Sequence, residues 1–153
     1  VPLVLHYIRN VVSATSNTTL TVAQSGSVCS GAKADGITIT LPAAAAGLTY
    51  AVHVATTITS NAFTITAASS ADTMQGQLIS NDFTDLGSIT LLNESVATVG
   101  FDQPAADDHQ IVMDGTTKGG KLGSYVNCTA ITAAIWHVDG FLSSDGSLAT
   151  CFT

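Results

Sequence analysis

Residues 35–76 read DGITITLPAAAAGLTYAVHVATTITSNAFTITAASSADTMQG, and this stretch decides the fold class. Ile37, Ile39 and Leu41 alternate with Thr38 and Thr40, giving a strand with one apolar and one hydroxylated face. Pro42 cannot donate to a ladder and ends that strand. Ala43 to Ala46 is too short for a stable helix, and Gly47 permits a turn. Leu48, Tyr50, Val52 and Val54 then share a face. After a turn at Ser60-Asn61 the alternation resumes with Phe63 and Ile65. The pattern predicts a three-strand meander. Such a meander cannot bury its apolar face alone, so it must be one layer of a larger all-β core.

Short strands continue on both sides of it. In Val1 to Val12, Leu3, Leu5 and Tyr7 recur at period two with Val4, His6 and Ile8 between them. Both faces are partly apolar, which fits an extended arm laid against a neighbour or an ordinary first core strand. Leu20 and Val22 mark the next strand, and QSGSVCSGAKAD (24–35) reads as a surface loop. Residues 77–87 read as an irregular connection with Phe83 turned inward. Residues 88–101 read as a hairpin turning at Asn93-Glu94. His109 to Met113 is a short strand, and DGTTKGGKLG (114–123) reads as a flexible exposed tip. Residues 124–131 and 134–142 form a closing hairpin, after which Leu148 and Phe152 return to the core. No amphipathic helix is found. The expected fold is a single-domain, all-β, antiparallel β-sandwich, jelly roll or Greek-key barrel over residues 17–153. Residues 1–16 precede it as an extended N-terminal arm or first strand.

Composition narrows the function. The chain has 153 residues, of which 46% are hydrophobic and only 10% charged, against about 25% in an average domain. So few charges point to surface covered by other copies or by a partner. Residues 1–34 hold Arg9 and Lys33 and no acid, +2. Residues 35–153 hold eleven acids and two lysines, −11 + 2 = −9. A polyanion such as nucleic acid is excluded as a partner of the body. The most apolar run, residues 41–58, is broken by Pro42, Gly47 and His53, so no membrane span is expected. His6 and Arg9 interrupt the opening VPLVLHYIRN, so no signal peptide is expected either.

No catalytic constellation emerges. Serines lack a nucleophile elbow, no phosphate loop exists, and acids sit where turns need them. Asp107-Asp108-His109 has the residue types of a metal site but not calcium-loop spacing, and no metal or other cofactor is expected. His6, His53, His109 and His137 share no common strand face. His53 and His137 alternate with core residues and should face solvent or a subunit contact, with a metal on a symmetry axis as the alternative. Cys29, Cys128 and Cys151 have no C-x-x-C spacing. Buried thiols, a Cys128–Cys151 bridge and an interchain bond all remain open. Trp136 is either a sugar platform or a core residue beside Tyr125.

The strand followed by LPAAAAG, then L-T-Y-x-V-x-V, F-T-I-T-A and Asp72-Thr73-x-x-Gly76, resembles the small virion proteins of tailed bacteriophages. Gly123-Ser124-Tyr125-Val126, Trp136-His137-Val138-Asp139-Gly140 and residues 146–150 are similar to the closing strands of that group. Cys151 stands where a proline is expected. The resemblance implies a non-enzymatic capsid decoration (cement) protein. Such a protein lies on the outer surface of an assembled phage head as a homotrimer and bridges copies of the major capsid protein, with no small-molecule substrate. On that reading Val1, Pro2, Leu3, Val4, Leu5, His6, Tyr7, Ile8, Arg9 and Asn10 contact the capsid or a neighbour. Tyr50, His53 and Trp136 mark the oligomer contact. A head-fibre, tail-fibre or receptor-binding module and a secreted lectin-like or adhesin domain are the alternatives.

Overall fold

The structure is a computed structural model and describes residues 9–82 and 99–153. Six short strands open the chain: β1 (Val11–Ala14), β2 (Thr18–Thr19), β3 (Val28–Gly31), β4 (Thr38–Thr40), β5 (Thr49–Val54) and β6 (Phe63–Thr66). They alternate between two sheets. β1, β3 and β5 stack in parallel in one, and β2, β4 and β6 stack in parallel in the other. The chain therefore winds through three rungs in the manner of a parallel β-helix, with neighbouring strands about 4.8 Å apart.

The remaining strands close this winding. They are β7 (Thr73–Asp82), β8 (Val99–Asp102), β9 (Gln110–Met113), β10 (Tyr125–Ala130) and β11 (Ile135–Ser144). β10 lies antiparallel against β5 and forms an antiparallel hairpin with β11. β11 runs parallel to β7, and β8 pairs antiparallel with β7. The seven-stranded order is β1-β3-β5-β10-β11-β7-β8, and the four-stranded order is β2-β4-β6-β9. The outer edge of β9 is covered by the C-terminus, where the Ile111–Phe152 bridge and the Val112 amide to the Cys151 carbonyl, 2.8 Å, continue the ladder.

The all-β class and the closing hairpin are present, but the three-strand antiparallel meander is not. β4 and β6 are parallel neighbours in one sheet, while β5 lies in the other. Of the nine strand pairings among the described residues, five are parallel, so residues 11–66 do not follow a hairpin-built sandwich. Alternation fixes which side chains share a face, and those assignments hold: Ile37, Ile39 and Leu41 are buried, while Thr38 and Thr40 are half-buried on the other side. It does not fix the partner strand. LPAAAAG is a crossover between sheets rather than a hairpin turn.

Further segments differ from expectation. The strand expected at Leu20 and Val22 is Thr18–Thr19, and Val22–Gln24 is a 3-10 turn. QSGSVCSGAKAD contains β3, a strand within the seven-stranded sheet with Cys29 fully buried. Residues 77–82 continue the ten-residue β7, and Phe83 with the hairpin around Asn93-Glu94 lies outside the described residues. Residues 114–120 are largely folded in, whereas Leu122 and Gly123 are exposed. Gly115, Gly119 and Gly120 are buried, and the Ile58 amide donates to the Gly120 carbonyl at 2.9 Å. Gly115, at φ +81, sits so close to the Ile58 carbonyl that a Cβ would lie 1.9 Å from its oxygen.

One core runs between the sheets, from Tyr50, Val52, Val126, Trp136 and Leu142 on one side to Ile39, Phe63, Ile65, Ile111 and Met113 on the other. Its tightest point is Gly31 in β3, where a Cβ would lie 2.1 Å from the Phe63 ring of β6. A larger residue on β3 would force that ring off its seat. Gly31→Ala should therefore lose about 1–3 kcal/mol in urea unfolding. Adding Phe63→Leu should recover part of that loss, because the two sites share one space. Purely additive costs would show that the ring and the glycine are not in contact.

Candidate functional site

The outward face of the seven-stranded sheet is assembled by register. Its inward residues, Val126, Cys128, Val138, Leu142 and Leu78, are fully buried, so the alternate positions face out. Across the strands, Ser30, His53, Tyr125, Phe141, Ile79 and Phe101 fall in one row. The row ends in strongly exposed apolar surface, with Phe101 at 65% and Ile79 at 38% exposure. Tyr125 stacks on His53 with ring centroids 5.5 Å apart and planes at 23°. One step along the strands, Asn127, Asp139 and Gln77 make a second row of hydrogen-bonding groups. The Asn127 amide donates to the Asp139 carboxylate at 2.9 Å. Thr129, His137 and Gln75 make a third. Between the first two rows lies a groove of about 570 Å³.

The expected oligomer contact divides. His53 lies on this outer face. Tyr50 and Trp136 do not: both are buried in the core at 1% and 0% exposure, with their rings 5.9 Å apart. Tyr50 Oη donates to the Thr21 carbonyl at 2.9 Å, which fixes the ring from within. Neither side chain can reach another molecule, and Trp136 is no sugar platform. Their strands present those positions inward because they alternate with Thr49, His53, His137 and Asp139.

Of the arm, Val1 to Ile8 lie outside the described residues. Arg9 and Asn10 are docked on the body. Arg9 Nε donates to the Gly26 carbonyl at 2.9 Å, and the Val28 amide donates to the Asn10 carbonyl at 2.8 Å. β1 and β2, which follow, are edge strands at the same end of the winding. Val11 and Val22 stand exposed there at 68% and 60%.

The acidic residues mostly hold turns. Asp108 accepts the Ala105 amide at 2.7 Å, closing the Asp107-Asp108-His109 loop on itself. Among the described residues no three side chains are grouped to hold a metal ion. Burial would raise the Asp114 carboxyl, but hydrogen bonds from the Lys118 and Thr116 amides and from the Thr117 and Thr116 hydroxyls outweigh it and lower it. Asp102 accepts the Cys151 amide at 2.6 Å and the Thr150 hydroxyl at 2.9 Å, tying the C-terminus to β8.

All three cysteines are buried thiols, with neither a Cys128–Cys151 bridge nor any other disulfide. Burial pushes Cys29 up to about 11. Burial and the nearby Asp139 charge push Cys128 up to about 12. Cys151 is raised by burial and by Asp102. None is a thiolate at neutral pH, so none offers a nucleophile or a metal-ready sulfur.

Compared with known proteins, the chain matches no family model, no curated protein and no solved structure.

The raised thiols set a pH dependence. Unfolded thiols ionise near their ordinary value of 9.0, whereas the folded ones keep their protons. Their stabilisation is complete below that value and is lost as pH rises, through about 11 for Cys29 and about 12 for Cys128. Each thiol should steepen the loss by about 1.4 kcal/mol per pH unit in this window. Urea unfolding in reductant from pH 8 upward measures the slope. Cys128→Ala should flatten it by one thiol's share, and an unchanged slope would mean Cys128 is not held protonated.

Proposed function

We propose that the chain is a non-enzymatic virion structural protein. Its concrete role is that of a capsid decoration protein, set as a homotrimer on the outer surface of a phage head across capsomer boundaries. The resemblance of residues 35–76 and 123–153 to that group supports the reading, and one structural observation carries it. The winding is capped at its third rung and bare at its first. β10 covers β5 and β9 covers β6, but β1 and β2 have no outer neighbour among the described residues. Two parallel strand edges with Val11 and Val22 exposed beside them form a surface that proteins ordinarily cover. Residues 1–10 lead directly into that end. An apolar segment entering beside two strand edges that have no outer neighbour among the described residues suits strand addition by a neighbouring chain.

In this role the work is mechanical. A molecule that binds only the assembled shell stabilises that shell in proportion to its occupancy. Closed symmetry lets one small chain bridge several capsid subunits and terminate the assembly.

The groove on the outer face favours a second reading, a receptor-binding module of a phage appendage or a lectin-like adhesin domain. It has an aromatic and amide lining of the kind that recognises a separate ligand.

Light scattering after gel filtration should give three times the 15.5 kDa chain mass. Removing residues 1–8 should keep the fold, since the described core is built from residues 14–152 and Arg9 and Asn10 keep their own contacts with the body, and should abolish co-sedimentation with undecorated phage heads. Undiminished sedimentation of the shortened chain would remove the arm from the mechanism. A monomer that binds no heads would overturn the decoration reading.

A further inference from the structure

We infer that the groove across β10, β11, β7 and β8 is a binding site for a neutral glycan chain lying across the strands. The inference stands on the groove itself and holds whether or not the chain rides on a phage head.

The two rows that flank the groove differ in chemistry. Tyr125 and Ile79 form one wall, continued by Phe141 and by the strongly exposed Phe101. Asp139, Gln77 and Gln103 form the other, with His137 behind them. Rings and aliphatic carbons pack against the apolar C–H faces of a pyranose. Amides and a carboxylate on the facing side supply donors and acceptors together, which is what a hydroxyl needs, since it both gives and takes a hydrogen bond. The rows are separated by two residues along each strand, about 6.6 Å, so a single sugar ring reaches both. They run perpendicular to the strands, and β10 to β8 spans three strand spacings, about 14 Å. That geometry fits a linear chain of several rings rather than one monosaccharide.

The floor is built for close approach. Gly76 and Gly140 lie in the parallel β7–β11 pair, where Val138 faces Gly76 and Leu78 faces Gly140. A Cβ on Gly76 would lie 2.0 Å from the Val138 oxygen, and one on Gly140 would lie 2.2 Å from the Tyr125 oxygen. Those contacts are with neighbouring strand backbone, so both glycines serve the pairing of β7, β11 and β10, and what they bring to the groove is backbone alone. The volume, about 570 Å³, lies within the range of small-molecule and oligosaccharide sites.

Charge selects the class of ligand. Among the described residues Asp139 is the one charged side chain lining the groove and no lysine or arginine lines it, and the whole chain carries −7. An anionic polymer would meet repulsion without a partner, whereas an uncharged polyol meets only hydrogen-bonding groups. The Asn127 amide holds one oxygen of Asp139, and the other has no partner among the described residues. It is therefore aimed to accept from a ligand hydroxyl.

The test is calorimetric titration of the full chain with neutral hexasaccharides of β-glucan, α-glucan, mannan and xylan, and with a sulfated hexasaccharide. At least one neutral chain should bind with a dissociation constant of about 1 mM or tighter, and the sulfated one should not. Tyr125→Ala and Asp139→Ala should each weaken that binding about tenfold or more at unchanged melting temperature. Because Tyr125 also stacks on His53, the exposed Gln77→Ala provides a third variant that cannot act through folding. Three outcomes overturn the inference: no neutral hexasaccharide binds, only the sulfated one binds, or the variants bind as the parent does. A loss of native mass in Tyr125→Ala with no saccharide bound would also overturn it, by making the face a contact between copies. The trimer mass and head binding are measured separately, so failure here leaves the decoration reading where it stands.

Discussion

β5 is paired on both edges, residues 51–54 parallel to β3 and residues 49–53 antiparallel to β10, and the rest of the structure depends on that double ladder. On one side of it the chain is a parallel winding. On the other it is a hairpin carrying a second, independent parallel pair, β11 on β7. A parallel winding left to itself ends in an open edge that can template another strand. β10 stops it in one sheet, and β9, covered in turn by residues 151–153, stops it in the other. The asymmetry follows: one end of the winding is closed by the chain's own later segments, whereas β1 and β2 at the other end have no outer neighbour among the described residues.

The same ladder explains which features were legible in the sequence. Strand existence and facing came from period-two alternation. Leu48, Tyr50, Val52 and Val54 are buried together, as are Ile111 and Met113. Partnering did not follow, because a parallel rung and an antiparallel hairpin present the same alternation. β3 was hidden because its composition is that of a loop. Its glycine is there to seat Phe63, a contact between residues 32 positions apart (63 − 31) that no local pattern encodes. Residues 114–123 misled in the opposite way. Their glycines report positive φ and close backbone approach, which occur inside a structure as readily as at its tips.

The candidate site was the least legible part. His53, Tyr125, Phe141, Ile79 and Phe101 come from five strands and meet only through register. Residues 77–82 read as irregular, so Gln77 and Ile79 had no face assigned. The large aromatic that drew notice as a contact, Trp136, alternates with the true surface residues His137 and Asp139 and points the other way. A one-residue shift in facing moves a residue from core to surface.

The distribution of charge ties the frame to the surface. Asp72, Asp102, Asp108 and Asp114 each accept a backbone amide, and the Gly146 amide donates to Asp82 at 3.0 Å. Carboxylates that close turns are fixed in place and hydrogen-bonded by the chain itself, so these acids serve the fold while still contributing to the −7 charge. What remains on the broad outer face is rings, amides and hydroxyls around a single carboxylate. Recognition by such a face depends on shape and on neutral hydrogen bonds, which salt screens little. A chain with so few charges thus uses many of its acids to hold loops, and among the described residues its outer face and its first-rung edge carry few charges.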